Sequence, residues 1–214
     1  MRLYRDFEAG EFIVVAADTS SGMGDYCAAQ FISKTKFDIP LVYQAHGVAV
    51  QMTSEIMPVI EKIYDITRVQ PLVGLERAAG GASELDRLAA LNRSGKYKMY
   101  IGKYPGRKEA ISSGKYGWDV TGYSRGQMLG DLKDFIDKHI LAIYDEPTIN
   151  ELFSFIEVYR AGRWQGEAEK GQHDDLCMSM AGGVMMWQGA QKPTEATNMQ
   201  PFSAWDDSFT NKYR

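Results

Sequence analysis

One feature constrains this chain more than any other. A fully apolar run, Phe12-Ile13-Val14-Val15-Ala16-Ala17, stops on a carboxylate, Asp18. Six apolar residues in a row read as a strand buried on both faces. After a turn predicted over Thr19-Ser20-Ser21-Gly22-Met23-Gly24-Asp25, strand character resumes from Tyr26 to Ser33 and again from Pro40 to His46. A first strand followed by another strand excludes a Rossmann fold, which needs a glycine-rich turn leading straight into a helix. Three strands with short connections predict an antiparallel meander at the start of a mixed α/β sheet.

Helical spacing then alternates with strands. Ile56, Met57, Ile60, Ile63 and Tyr64 give one face of a helix over Thr53–Tyr64, with Pro58 inside it. Pro71–Glu76 reads as a short strand ending in an acid, Ser83–Leu91 as a helix and Tyr97–Ile101 as a strand. Ser124 is the expected N-cap of a helix running to Ile136. Ala142–Tyr144 reads as a short strand, Thr148–Ile156 as a helix with Leu152, Phe153 and Ile156 inward, and Glu157–Trp164 as an edge strand or hairpin. A closing helix runs from Asp174 to about Gln188, and its Gly182-Gly183 pair points to close packing of helix on sheet. After Ala190 the pattern fails, so the expected division is one domain over 1–190 and an extended tail over 191–214, with Phe202, Trp205 and Phe209 as possible anchors. No apolar run approaches the roughly 18–20 residues of a membrane span. Two cysteines, Cys27 and Cys177, are too few for a disulfide scaffold or a cysteine-based zinc site.

The chemistry candidates are carboxylates at the ends of elements. Asp18 and Glu76 each end a buried strand, and Asp174 and Asp175 open the last helix. A carboxylate just past a buried strand is costly unless a cation meets it. Four acids from three distant segments point to a shared pocket, and all-oxygen ligation selects Mg2+ or Mn2+ over zinc. Blander roles compete for each one. Asp18 could stabilise its turn, Glu76 could pair with Arg77 at the surface, and Asp174 or Asp175 could simply cap the helix. His173 reads as a positional residue, and His46 and His139 receive no role. A second feature is electrostatic. The chain carries a net charge of −4, yet Arg93–Lys115 alone is +6, with tyrosines interleaved among Lys96, Lys98, Lys103, Arg107 and Lys108. Such a segment is either a solvated loop or a sequence-independent contact to phosphates.

Four segments, in order, carry a resemblance. VVAADTSSGMGDYCAAQFI resembles the first nuclease motif of the large terminase subunit of tailed bacteriophages. VGLERAAGGASELDRL is similar to its second motif, KYGWDVTGYSRGQMLGDLKDFI to its Gly-Trp-x-Thr…Arg segment, and ELFSF with GQHDDLCMSMAGGVMMW to its third motif. The sequence departs from that pattern at Ala78 and Gly122, where Asn is common.

The resemblance covers about residues 11–188 and implies a ribonuclease-H-like fold with helices flanking a mixed sheet. It implies an endonuclease that cleaves concatemeric double-stranded DNA during genome packaging with two ions, Mg2+ or Mn2+. It places Asp18, Glu76 and Asp175 as the metal-binding catalytic acids, with Asp174 sharing the third role. DNA contacts are expected at Arg77, Lys103, Arg107 and Lys108. The implied partners are the ATPase domain of the same subunit, the portal and the small terminase subunit, in the host cytoplasm. No GxxxxGK[ST] phosphate loop occurs in the chain, so the expectation is a nuclease half alone. Two rival readings stand beside it: a ribonuclease-H-like resolvase acting on branched DNA, and a non-catalytic docking module that uses the aromatic tail.

Overall fold

The computed structural model describes residues 1–103, 112–160, 163–169, 171 and 173–190. Among these, six strands form a central sheet in the order β1-β4-β3-β2-β5-β6. They are β1 (Arg2–Leu3), β2 (Ile13–Asp18), β3 (Ser21–Ser33), β4 (Asp38–Val48), β5 (Leu72–Leu75) and β6 (Lys98–Met99). β1 to β4 pair antiparallel, as the meander requires. The chain then crosses over through α1 (Ala49–Thr67), so β5 lies parallel to β2, and β6 follows parallel to β5 through α2 (Gly81–Leu91). This mixed sheet flanked by helices is a ribonuclease-H-like architecture.

Strand alternation divides the core in two. Ile13, Val15 and Ala17 of β2 face α1 and α2, packing with Ile56, Ile60, Ile63, Leu85 and Leu88. Val14 and Ala16 face the other side. There they meet α3 (Gly122–Asp137) and α5 (Asp175–Gly189) through Met128, Leu132, Met180 and Val184. Asp18 has the parity of Val14 and Ala16, so it belongs to the α5 side. In β5, Val73 and Leu75 belong to the α1/α2 side and Gly74 meets Met186 of α5. Glu76, two residues past Gly74, shares its parity. The two acids therefore leave neighbouring strand ends on one face.

α5 is apolar nearly all round because it is buried against β2, β3 and α3. Its glycines let it come close. A Cβ on Gly182 would stand 2.5 Å from Cζ2 of Trp118, and one on Gly183 would collide with Ile32. The sequence expectation of close helix–sheet packing holds.

Several local expectations do not. Ser21–Asp25, expected as part of a turn, belongs to β3, with a register shift between Ser21 and Tyr26 and positive φ at Gly22 and Gly24. α1 begins at Ala49, four residues before the first residue expected to be helical. The N-cap of α3 is Thr121, whose Oγ1 accepts from Ser124 N at 3.1 Å; Ser124 is instead the third residue of a capping box. Ala142 makes only an isolated bridge to Asp38. α4 (Glu146–Phe153) ends three residues earlier than expected, and Phe153 is 83 % exposed rather than inward. The region after it is a hairpin, β9 (Phe155–Arg160) and β10 (Arg163–Ala168), apart from the main sheet. A second small hairpin joins β7 (Ile101–Lys103) to β8 (Ser112–Tyr116). Residues 191–214 lie outside the described residues, as do Phe202, Trp205 and Phe209.

Candidate active site

Backbone hydrogen bonds set the floor of the site. Glu76 N donates to Ala17 O at 2.9 Å, which extends the β2–β5 pairing beyond the strand and brings Glu76 beside Asp18. On its other side Glu76 bridges Trp118, and Arg77 N donates to Trp118 O at 2.9 Å. The turn that follows is tight, with positive φ at Ala79 and Gly80. Thr19 Oγ1 ties it to the end of β2 by donating to Ala78 O at 2.7 Å.

Asp18 and Glu76 are both half-buried, and each carboxyl lies close enough to shift the other. Burial pushes Asp18 well above the ordinary carboxylate range, and the charges of Glu76, Asp175 and Asp174 add to it. Burial also raises Glu76, while neighbouring Asp18 and the charge of Arg125 pull the other way.

The third contribution comes from the start of α5. Asp175 is pushed up to about 6, first by burial and then by the charges of Asp174 and Asp25. Its Oδ2 accepts from Tyr26 N at 3.4 Å and faces His173 Nδ1 at 3.6 Å. Tyr26 in turn stacks on His46, with centroids 3.8 Å apart, and meets His173 edge-on. Asp174 is paired with Arg125 of α3 at 2.5 Å.

The structure thus brings Asp18, Glu76, Asp174 and Asp175 into one electrostatic neighbourhood. Glu76 is not an exposed partner of Arg77. Arg77 instead donates to Tyr116 O at 2.7 Å and faces Asp119 at 3.5 Å. Of the other expected DNA contacts, Lys103 ends β7, whereas Arg107 and Lys108 lie outside the described residues.

Sequence reasoning missed Arg125, Tyr26 and Glu151. Glu151 Oε2 accepts from Leu176 N at 2.8 Å and from Cys177 N at 3.1 Å. Burial pushes it up to about 7, with the charges of Asp175 and Asp174 contributing. All three lie inside the segments that carry the resemblance, but their roles depend on partners far away in sequence, so the motifs alone do not show them.

Carboxylate oxygens are the right donors for a hard divalent cation. Among the described residues, no three Asp, Glu, His or Cys side chains converge on one point as they stand. Asp175 and Asp174 turn to Tyr26 N and to Arg125. The donor set suits a cation in type and charge.

The fold is ribonuclease-H-like. Solved structures narrow the fold further, to that of large terminase nuclease domains. The nuclease domain of the Thermus phage P74-26 large terminase superposes with a TM-score of 0.63 at 16 % identity, covering 90 % of this chain and 88 % of that one. The large terminase nuclease of the thermophilic phage G20c, solved with bound cobalt, gives 0.64 at 17 % identity, covering 86 % and 85 %. The P22 large terminase nuclease domain gives 0.54 at 14 % identity, covering 88 % and 87 %. No family model and no curated protein matches the sequence. Among the described residues, no helix is long and apolar enough to cross a membrane.

Proposed function

We propose that this chain is a divalent-metal-dependent endonuclease that cleaves double-stranded DNA with little sequence preference during viral genome packaging. The observation that carries the reading is the placement of Asp18 and Glu76 side by side at adjacent strand ends, in the field of Asp174 and Asp175. Support comes from the fold shared with terminase nuclease domains, of which the G20c domain was also solved with bound magnesium. Asp18, Glu76 and Asp175, with Asp174 assisting, would hold two ions, Mg2+ or Mn2+. Bound there, such ions activate a water for attack on the phosphodiester and stabilise the leaving oxygen.

The chain's own residues do the rest. Asp18 and Glu76, whose carboxyls burial raises, would lose their protons and present charged oxygens. Tyr26 N–H holds Asp175 in place, and Arg125 balances the charge of Asp174. Arg77, fixed by Tyr116 O and Asp119, contacts a backbone phosphate. Lys103, Arg107 and Lys108 add phosphate contacts that position the duplex without reading its sequence. Residues 1–190 form the nuclease domain and 191–214 a tail. In the intact motor the partners are the ATPase domain of the same subunit, the portal and the small terminase subunit, within the host cytoplasm.

The test is incubation with supercoiled plasmid. Nicking and degradation are expected with Mn2+, less with Mg2+, and none with EDTA or for Asp18→Asn. Cleavage by the folded variant at the wild-type rate would overturn the reading. Strong preference for four-way junctions over linear duplex would turn it into a resolvase.

A further inference from the structure

The first turn of α5 should attract its own acids. Free N–H groups at a helix start are best satisfied by an Asp at the N-cap, and Asp174 occupies that position. Its side chain nevertheless makes no capping bond. It turns to Arg125 instead, and Asp175 Oδ2 turns to Tyr26 N. The donors of the first turn are taken by a residue from another helix: Glu151 of α4, through Oε2, accepts both Leu176 N and Cys177 N.

Glu151 is itself held from behind. Its Oε1 accepts from Gln44 Nε2 of β4 at 3.5 Å, and Gln44 Oε1 faces Arg2 Nη2 at 3.4 Å. The start of α4 is pinned to the sheet. Asp145, fully buried, accepts from Arg2 Nε at 2.5 Å, from Tyr4 Oη at 2.6 Å and from Thr148 N at 2.9 Å. Gln30 Nε2, buried in β3, reaches both Thr148 Oγ1 at 3.1 Å and Leu176 O at 3.4 Å, which ties α4 to the first turn of α5 a second time.

This arrangement works against simple electrostatics. It sets a further acid beside Asp174 and Asp175, where like charges repel. Stability alone would be served by letting Asp174 cap its own helix. What the external cap secures is that neither aspartate is spent on the first-turn donors.

We propose that Glu151 is a positioning residue. By capping α5 from α4 it keeps the carboxylates of Asp174 and Asp175 off the first-turn donors, on the side of Asp18 and Glu76, where a divalent cation can draw them from Arg125 and Tyr26 N. The inference rests on the nuclease reading above. Its own test reads metal binding directly, so the two can fail separately.

The experiment compares the full chain with E151A, E151Q and E151D. Three readouts are needed: Mn2+ titration calorimetry without DNA, kcat and KM for plasmid cleavage, and the melting temperature. Glu151→Ala should weaken Mn2+ binding and lower kcat roughly 10–100-fold, the usual cost of losing a group that orients metal ligands, with KM for DNA unchanged. Glu151→Gln keeps an acceptor oxygen at the same reach and should restore most of both. Glu151→Asp keeps the charge but loses the reach, so it should behave like the alanine variant; it also carries the test if the alanine variant does not fold. A cap that serves stability alone would lower the melting temperature while Mn2+ affinity and kcat stayed at wild-type values, and that result overturns the proposal. Absence of Mn2+ binding by the wild-type chain would overturn both readings. Wild-type cleavage by Asp18→Asn together with weakened Mn2+ binding by the Glu151 variants would overturn only the first.

Discussion

Gly182→Ala should destabilise this protein, although the same change in an ordinary helix stabilises it. Replacing Gly by Ala inside a helix gains about 1 kcal/mol. At Gly182 the new methyl would stand 2.5, 3.0 and 3.1 Å from Cζ2, Cη2 and Cε2 of Trp118. The closest approach is about 1 Å inside ordinary carbon–carbon contact. The indole cannot retreat, because its far edge already lies against Gly74 of β5, where a Cβ would be 3.0 Å from Cζ3. Trp118 is therefore a slab between two glycines, and it is 5 % exposed. Overpacking of this kind costs about 1–3 kcal/mol, and the overlap on a trapped ring places it at the upper end. The net loss is about 2 kcal/mol, or roughly 4–8 °C in melting temperature for a chain of this size. Gly126→Ala, on the exposed face of α3 with nothing within 4 Å of the new methyl, is the matched control. It should raise the melting temperature by roughly 2–4 °C. The assay is thermal unfolding followed by circular dichroism. Because Trp118 bridges Glu76, Gly182→Ala should also slow plasmid cleavage at temperatures where it remains folded. Equal increases in melting temperature for the two variants would refute the packing argument.

Other outcomes follow from the same structure. Asp18, Glu76, Asp175 and Glu151 all have raised folded-state pKa values, Asp175 to about 6 and Glu151 to about 7, so the folded chain binds more protons than the unfolded one in that range. Their contribution therefore falls as pH rises. In EDTA the melting temperature should rise as pH drops from 7.5 to 5.5, and Asp18→Asn should raise it at pH 7.5; a steady fall over that interval would contradict the electrostatics. Arg5→Ala strips the partner from two buried acids, Glu11 and Asp38, which Arg5 meets at 2.5 and 2.6 Å. It should cost about 3–5 kcal/mol in chemical denaturation, and a loss under 1 kcal/mol would contradict this. Replacing Lys103, Arg107 and Lys108 together by Ala should weaken binding to all duplexes alike and reduce the salt slope by about one unit per lost phosphate contact. An unchanged slope would make the segment a solvated loop.

Much of this arrangement was legible in the sequence, for identifiable reasons. Phe12–Ala17 is buried on both faces, so its continuous apolar run located β2 and its terminal Asp18. Gly182-Gly183 in an otherwise apolar helix announced close packing, and the structure supplies Trp118 and Ile32 as the neighbours. The errors have local causes. Ser124 looks like an N-cap, but Thr121 three residues earlier completes a reciprocal box with it. Phe153 fits a helical stripe, yet it is the last residue of α4, where the chain turns away and leaves it in solvent. Ser21–Asp25 is rich in Gly and Ser and reads as a turn, whereas positive φ at Gly22 and Gly24 is accommodated within an irregular strand. In the site, the acids could be picked out because each ends an element. Glu151 could not, since capping α5 from α4 is a tertiary relation between residues 25 apart in sequence. Arg125 likewise meets Asp174 only because α3 packs on α5.

The central claim is that Asp18, Glu76, Asp174 and Asp175 together form a site for divalent cations. The most direct measurement is anomalous diffraction from crystals of this chain soaked in Mn2+. A peak is expected against the carboxylates of Asp18 and Asp175, with Glu76 facing a second, weaker position. A peak elsewhere, or none at this cluster at saturating Mn2+, would contradict it.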